Sequence, residues 1–197
     1  MHVGSRRGQS LPNASTQYDL AELLANRNGP LPQDRPHYMK VDGFYTFDFN
    51  QGGLLTTGIR FRALSGSPVD ALGSHYLYGF GESYLLPRGA QGRTSFVTNM
   101  DLHLGYARDL AKGYEISLFM DIINLFNQEQ VAVTDELYTF DNVNPVVGGD
   151  YEDLIFAKQL NPSGGETRDP AGRNIGFGTP LGRYSPLYIR FGARLSF

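Results

Sequence analysis

The amino-acid sequence predicts an all-β protein, an antiparallel transmembrane β-barrel segment of about five long strands. Apolar and polar side chains alternate in segments of about 10–13 residues, whereas strands of globular proteins average about 5–6 residues and bilayer-spanning strands need about 9–11. The connections between these segments alternate strictly between very short and very long. The composition, with 24 Gly, 11 Pro, 12 Tyr and 13 Phe, is typical of turn-rich β structure.

Composition also excludes several classes of protein. The chain has 197 residues, a hydrophobic content of 41% and a mean hydropathy of -0.31. No run approaches the roughly 20 consecutive apolar residues of a spanning helix, so a helical membrane protein is excluded. The net charge of -3 and the lack of a dense basic patch argue against a nucleic-acid surface. Without cysteine there is no disulfide frame, thiolate nucleophile or Cys-ligated zinc.

Residues 1–36 are predicted to be an extracellular loop, or a non-native start, with one short helix. The opening MHVGSRRGQSLPNAST contains no apolar core, so it does not resemble a secretory signal, and the chain is not expected to be a complete exported precursor. Asp19 can cap a helix that runs to about Arg27, where an Asn-Gly pair stops it. Three leucines share one face of this helix: Leu20, Leu23 and Leu24.

Residues 37–197 are predicted to hold the C-terminal barrel strands. Period-two alternation places the strands at 37–49, 54–64, 96–107, 113–127 and 188–197. Short turns are predicted at 50–53 and 109–113, and long loops at 65–94 and 128–186. One face of the strands carries the charged side chains, which are Asp42, Asp48, Arg60, Arg62, Asp101, His103, Glu115, Asp121, Arg190 and Arg194. We expect this face to line a wet lumen, because an Arg facing lipid at the midplane costs about 2–4 kcal/mol.

Loop length distinguishes a membrane barrel from a half-buried soluble sheet. Both explain the alternation, but structureless loops this long argue against a compact soluble domain and are expected in an outer-membrane barrel. Aromatic residues near the segment ends fit interfacial girdles; they are Tyr38, Phe49, Phe96, Tyr106, Tyr114, Phe126, Tyr188 and Phe197.

Several stretches resemble a known family. MDIINLFN at 120–127, followed by a long loop and the terminal strand YIRFGARLSF, is similar to the C-terminal end of TonB-dependent outer-membrane receptors. The stretches YDLAELLANRNGPLPQDRPHYMKVDGFYTF, FRALSGSPVDALGSHYLYGFGESYLLPRGAQGRT and DLHLGYARDL resemble its Oar-like branch. The resemblance covers nearly everything from about Gln17 onward.

The resemblance implies a 22-stranded barrel around a plug, an N-terminal motif that engages TonB, and location in the outer membrane of a Gram-negative bacterium. It implies import of scarce nutrients such as metal chelates or oligosaccharides. The implied barrel-assembly signal is Tyr188, Gly192, Leu195 and Phe197, and the family motif is Asn124, Leu125, Phe126 and Asn127. The implied partners are outer-membrane lipid, the barrel-assembly machinery, and the remaining strands and plug of a parent receptor. TonB would be engaged only through an N-terminal part that this sequence does not contain, and no nucleic acid is expected.

Five strands leave a barrel open, since bacterial barrels close with even strand numbers from eight upward. The sequence contains no recognisable plug or coupling motif, so it predicts a C-terminal portion of a transporter that is not transport-competent alone. One alternative is a small or split structural or adhesive outer-membrane barrel, completed by a second copy or a separately encoded half. Another is a soluble β carbohydrate-binding module.

We predict no catalytic, cofactor-binding or metal site, and therefore no enzyme. YGFGES lacks the Lys and helix of a phosphate loop and is predicted to be a flexible surface loop. Asp101 and His103 lie two apart on one strand face and could orient each other, but no Ser nucleophile accompanies them. The histidines without ligand spacing are His2, His37, His75 and His103. An acidic stretch without EF-hand spacing is interpreted as a solvated loop; its residues are Asp135, Glu136, Asp141, Asp150, Glu152 and Asp153.

Overall fold

A computed structural model describes residues 20–110 and 113–197, which fold into two compact units. The sheet unit comprises Arg35–Ser65, Ser95–Gln130 and Arg183–Phe197. The loop unit comprises the described residues before Arg35 together with Gly66–Thr94 and Val131–Gly182. The predicted helix cap Asp19, His2, and two residues of the predicted turn at 109–113 lie outside the described residues.

The sheet unit is one antiparallel sheet of five strands. Strands are numbered in chain order, and those of the sheet unit are β1 (Tyr38–Asp48), β2 (Leu54–Leu64), β5 (Val97–Asp109), β6 (Glu115–Ile123) and β12 (Tyr188–Ser196). Their order is β1-β2-β5-β6-β12, and every neighbouring pair is antiparallel. The five long strands predicted from alternation are confirmed. Within the described residues the sheet is open, because β1 and β12 each have one neighbour only.

Strand register sorts the side chains of the sheet unit onto two faces. Asp42 lies opposite Arg60, and Arg60 lies opposite Asp101, so the predicted charged face is continuous from strand to strand. The other face presents apolar side chains that are exposed within this chain, among them Met39, Val41, Tyr45, Phe47, Ile59, Leu118, Ile189, Phe191 and Leu195. An apolar surface of this size is characteristic of a face that contacts a protein partner or a membrane.

The turn between β1 and β2 depends on one glycine. A 3-10 turn at Asn50–Gly52 is followed by Gly53, whose φ of 94° favours glycine, and the Phe49 amide donates to the Gly53 carbonyl at 3.0 Å. A Cβ at Gly53 would lie 2.5 Å from the Ala107 carbonyl oxygen. The predicted short turn at 50–53 is thereby confirmed. The close approach of β5 explains why Gly53, the last residue of this turn, has no side chain.

The loop unit contains short strands that alternation did not reveal. They are β3 (Leu72–His75), β4 (Gly79–Tyr84), β7 (Val131–Thr134), β8 (Leu137–Asn142), β9 (Lys158–Leu160), β10 (Glu166–Pro170) and β11 (Pro180–Arg183). They form a sheet of order β4-β3-β8 and two pairs, β10-β9 and β11-β7. The predicted long loops 65–94 and 128–186 therefore contain regular structure, and residues 79–83 of YGFGES lie in β4 instead of a flexible loop. Strands of 3–6 residues with irregular register are too short to show a period.

These short strands surround a hydrophobic core. Its fully or nearly buried members are Ala71, Leu85, Leu86, Tyr138, Val143, Leu154 and Phe177, with Val146 and Ala171 packed against them. The rings of Tyr138 and Phe177 meet edge-on at 5.3 Å. Burial raises the pKa of the Tyr138 hydroxyl above its ordinary value. The long connections are thus stabilised by a core of their own.

The single described α-helix is shorter than predicted. It spans Ala21–Leu24 instead of reaching Arg27, because Ala25 is already extended, with a ψ of 143°, and Asn26 follows with a φ of 60°. The Asn26 side-chain amide then donates to the carbonyls of Tyr84, Leu85 and Val146 at 3.1, 2.8 and 3.1 Å. These bonds fix the first described segment to the rest of the loop unit. No helix among the described residues is long and apolar enough to cross a membrane.

Replacing Leu85 tests whether the loop unit has a true core. Leu85 is 0% exposed, so Leu85→Ala should lower the free energy of unfolding of this unit by about 2–5 kcal/mol. Trypsin should then cleave 66–94 and 131–182 much faster, since cleavage reports the population of the open form. The control Leu77→Ala removes a side chain that is 61% exposed and should leave the rate unchanged. Equal cleavage of both variants would contradict a packed core.

Candidate functional site

The candidate functional site is the polar face of the five-stranded sheet. One row of directly opposed residues, one from each strand, crosses this face. It runs from Phe44 through Gly58, His103 and Asp121 to Arg190. Because residues opposite one another in an antiparallel pair lie within about 4.5–5.5 Å, their side chains interact directly. The row brings together groups that are far apart in sequence.

Asp121 is the centre of a three-residue network on this row. Its Oδ1 lies 2.5 Å from His103 Nδ1, and its Oδ2 accepts from Arg190 Nη2 at 2.6 Å and from Nε at 3.0 Å. The Asp121 side chain is 12% exposed, whereas its two partners remain largely accessible. The carboxylate therefore ties β5, β6 and β12 together across the polar face.

Asp101 organises the next row. Its Oδ1 accepts from Asn99 Nδ2 at 2.9 Å and from the Asn124 amide at 3.0 Å, and its Oδ2 lies 3.8 Å from Arg60 Nε. At one end of the same face, Arg62 donates to both carboxylate oxygens of Asp42 at 2.8 and 2.9 Å. The predicted mutual compensation of lumen charges is present in these pairs. The Arg62–Asp42 pair is exposed at Asp42 and contributes little stability, whereas the Asp101 carboxylate is buried and compensated by its three partners.

His103 does not pair with Asp101, although the sequence suggested that the two could orient each other. Residues two apart on one strand are separated by about 6.7 Å, whereas Asp121 lies directly opposite on β6. The contact could not be found from the sequence, because it depends on the register between β5 and β6. Nothing in this arrangement activates a nucleophile.

The motif Asn124-Leu125-Phe126-Asn127 forms a tight turn at the end of β6. Asn124 and Asn127 have φ values of 54° and 48°, a conformation that asparagine tolerates better than other side chains. The Asn124 side chain donates to the carbonyls of Gln128 and Ser185 at 3.1 and 2.9 Å and accepts from the Gln128 amide at 3.0 Å. The turn therefore links β6 to the segment that leads into β12.

Further bonds extend this link to both neighbouring strands. Asn127 Oδ1 accepts from the Leu187 amide at 2.8 Å, directly before β12, and the Leu125 amide donates to the Met100 carbonyl of β5 at 2.7 Å. Phe126 is 63% exposed and makes no part of this network. The two asparagines thus hold the ends of three strands in place.

The residues of the implied barrel-assembly signal lie in different environments of β12. Tyr188 and Gly192 fall on the polar face, in register with Ile123 and Phe119, while Leu195 falls on the apolar face opposite Ile116. Phe197 follows the last strand residue and is 99% exposed. These four residues form no cluster with one another in the structure.

Gly192 has a structural reason to lack a side chain. A Cβ there would lie 2.2 Å from Cε1 and Cζ of Phe119, so the Phe119 ring covers the backbone of β12 at this position. The Arg190 guanidinium lies 5.9 Å from the centroid of the same ring. An aromatic ring laid over a glycine of an edge strand protects the backbone and helps to fix the register.

Outside the sheet, the loop unit exposes one aromatic pair. Phe80 of β4 and Phe140 of β8 meet edge-on at 5.8 Å and are 62% and 57% exposed. Acidic residues of the 135–153 stretch accept hydrogen bonds from both near and distant groups: Asp135 Oδ1 accepts from the Leu137 amide at 3.0 Å, and Asp141 Oδ2 accepts from the Gly172 amide at 2.8 Å. Within residues 20–110 and 113–197, no group of three or more His, Asp or Glu side chains is placed to hold a metal ion.

Comparison with known proteins gives one informative match. A curated relative, the TonB-dependent transporter Oar of Myxococcus xanthus, is 36% identical over 201 residues, which covers 96% of this chain and 19% of the relative. The chain therefore spans about a fifth of the length of that protein. No family model matches the chain, and no solved structure matches it. The resemblance to the Oar-like branch of TonB-dependent receptors, predicted from the sequence, is confirmed.

Two substitutions of Asn124 separate the stability that its side-chain hydrogen bonds contribute from the effect of its left-handed backbone conformation. Asn124→Gly keeps the positive φ but removes the side-chain bonds, each of which contributes about 0.5–1.5 kcal/mol. Asn124→Ala should add about 1–2 kcal/mol of backbone strain to that loss. The urea midpoint of the detergent-solubilised chain should fall in the order wild type, Gly, Ala. An Ala variant as stable as the Gly variant would contradict the strained turn.

Gly192 and Gly43 form a matched pair on the two edge strands. Gly192→Ala should destabilise the sheet by about 0.5–1.5 kcal/mol, because the exposed Phe119 ring must turn away from β12. Gly43→Ala is the control, because its Cβ would lie 3.8 Å from Ile59 Cγ1, an ordinary contact. Adding Phe119→Ala to Gly192→Ala should remove the clash, and a double-mutant cycle on urea midpoints measures the coupling. Additive effects of the two substitutions would refute the ring-over-glycine contact.

Proposed function

We propose that this chain forms part of the barrel wall and of the extracellular loops of a TonB-dependent outer-membrane transporter, and that it does not transport on its own. The observation that carries this proposal is the two-faced sheet. One face is lined by paired charges, and the opposite face is apolar, with exposed side chains on the outer strands and half-buried ones on β5. The similarity to Oar supplies the transporter family.

The two-faced sheet fits a bilayer on one side and water on the other. In hydrocarbon every backbone amide and carbonyl needs a protein partner, and a continuous antiparallel ladder provides these between strands. The ladders of β1 with β2 and of β6 with β12 run without interruption over the paired residues. A soluble carbohydrate-binding module would have to cover the apolar face with protein, whereas side chains of that face such as Phe47, Ile59 and Phe191 are exposed.

Connectivity assigns the two ends of the strands. The long connections from β2 to β5 and from β6 to β12 leave the same end of the sheet, since Leu64 lies opposite Val97 and Ile123 lies opposite Tyr188. Outer-membrane barrels have long loops outside and short turns in the periplasm. The loop unit therefore belongs outside the cell in this proposal. There the exposed Phe80 and Phe140 rings contribute to a substrate-facing surface.

The remaining partners follow from the same proposal. The terminal strand, with Tyr188, Gly192, Leu195 and Phe197, would be read by the barrel-assembly machinery, and its alternating outer face would meet outer-membrane lipid. Plug and TonB contacts would belong to other parts of the parent receptor. The chain is assigned no cofactor and no catalytic role.

Labelling of adjacent residues on β6 tests the proposal. Because the chain contains no cysteine, single cysteines report unambiguously. We would place the chain in Oar in exchange for the matched region, replace any cysteines of the Oar part by serine, and compare Ser117→Cys with Leu118→Cys. In isolated outer membranes, a membrane-impermeant maleimide applied after osmotic opening should label the polar-face Ser117→Cys, and a lipid-soluble maleimide should favour Leu118→Cys.

The two positions are matched in depth and differ only in the face they occupy. Equal reaction of both with the water-soluble reagent would contradict a wall between lipid and water. So would recovery of the folded 197-residue chain in an aqueous fraction without detergent.

A further inference from the structure

We infer that the loop unit carries a docking surface for a basic polypeptide. Apolar side chains of this partner pack on Phe80 and Phe140, and its cationic side chains meet the carboxylates of the neighbouring turn at 150–153. Such a partner would be the ligand of the substrate-facing surface proposed above, so the position of this surface outside the cell rests on that proposed function.

The acidic excess of the chain lies in the loop unit. With histidine neutral, its described residues hold twelve carboxylate and six cationic side chains, a net charge of -6. The described residues of the sheet unit hold seven carboxylate and eight cationic side chains, a net charge of +1. A field of one sign attracts partners of the opposite sign and repels those of its own. Nucleic acids, anionic lipids and acidic polysaccharides are therefore disfavoured as ligands of the loop unit, and a basic partner is favoured.

The apolar part of the surface is built on the β4-β3-β8 sheet. Phe80 of β4 and Phe140 of β8 meet across β3, so both rings lie on one face of this sheet, and both are exposed. A 3-10 helix, Glu152–Phe156, is anchored by the buried Leu154 and exposes its last two residues, Ile155 and Phe156. Exposed apolar side chains in this number are characteristic of a surface that binds a partner.

Two contacts join the aromatic pair to the acidic turn. Thr139, the neighbour of Phe140 in β8, pairs with Arg173 in an antiparallel bridge. Arg173 Nη2 donates in turn to the hydroxyl of Tyr151 at 3.3 Å. Tyr151 is the second residue of the turn and directly precedes the 3-10 helix. The exposed rings and the acidic turn are therefore parts of one surface.

The turn at 150–153 surrounds Tyr151 with carboxylates. Asp150 Oδ1 accepts from the Glu152 amide at 2.8 Å, and Asp153 Oδ2 accepts from the Asp150 amide at 3.0 Å. These bonds hold two of the three carboxylates in place. Three anionic groups beside the single guanidinium of Arg173 leave this part of the surface negative.

A basic polypeptide supplies both kinds of group that the surface requires. Its cationic side chains can pair with the carboxylates and lie over the exposed rings, whose faces attract cations. Its apolar side chains can cover Phe80, Phe140 and Phe156. A neutral oligosaccharide offers no positive charge, and a small cation offers no apolar side chain.

Peptide binding to the detergent-solubilised 197-residue chain tests the inference. The probe is a short fluorescent peptide of lysines with phenylalanine at every fourth position. One companion peptide has glutamate in place of lysine, and a second has alanine in place of phenylalanine. Fluorescence anisotropy gives the affinities, protein-free micelles give the background, and maltohexaose serves as a neutral oligosaccharide competitor.

We expect the basic aromatic peptide to bind more tightly than both companions and to lose affinity as salt is added, since salt screens charges at a surface. Phe80→Ser and Phe140→Ser should each weaken binding about fivefold or more, as the loss of an interface anchor does. Glu152→Gln should weaken binding and reduce its salt dependence. The control Leu31→Ser replaces a side chain of the first described segment that is 65% exposed, and it should bind like the wild type.

All four substitutions replace exposed side chains, so trypsin resistance equal to that of the wild type verifies that the variants are folded. The inference is overturned if the basic peptide does not bind, if the acidic peptide binds as tightly, or if maltohexaose displaces the basic peptide. Unchanged affinity of the Phe80→Ser and Phe140→Ser variants would also overturn it. Labelling at Ser117 and Leu118 decides the wall function independently, so the two ideas can fail separately.

Discussion

The register of the antiparallel ladder is the constraint on which the rest of this structure depends. Because side chains alternate between faces, a slip of one residue would move every charge of a strand to the opposite side. The ladder of β1 with β2 is unbroken from Tyr38 to Asp48, and that of β12 with β6 from Tyr188 to Ser196. The Asp121 network and the Phe119 ring over Gly192 are side-chain contacts that form only in this register, so they stabilise it further. The backbone and the side chains therefore specify the same alignment.

Sequence reasoning succeeded where one periodic signal extended over many residues. In β5 the residues Met100, Leu102 and Leu104 alternate with Asp101 and His103, and the observed strand contains all of them. It failed where structure is short and locally irregular. β3 has four residues, all buried, and its pairings with β4 and β8 both shift in register, so no alternation exists to detect. The helix also ends earlier than predicted, since Ala25 is extended and the Asn26 side chain that follows donates to three carbonyls distant in sequence.

The candidate site also has features that the sequence predicts and features that it does not. The alternation of side chains along each strand predicts which charges share the polar face. Which of these charges contact one another depends on the register between neighbouring strands. The bond between His103 and Asp121 joins residues of different strands, and the sequence contains no statement of that offset. The NLFN motif could be recognised in the sequence. Its hydrogen bonds to Ser185 and Leu187, which hold that segment at the end of β6, could be seen only in the structure. Sequence thus predicts faces better than contacts.

The core of the loop unit has a consequence for recognition. Phe80 and Phe140 are carried by strands that flank β3, and their unit is anchored by buried Leu85, Leu86 and Leu154. A binding surface on a disordered loop must lose conformational entropy when it meets its ligand, which weakens binding. Rings held on a folded scaffold have lost most of that freedom during folding. In the proposed transporter, these rings would therefore meet a substrate in positions that folding has already fixed.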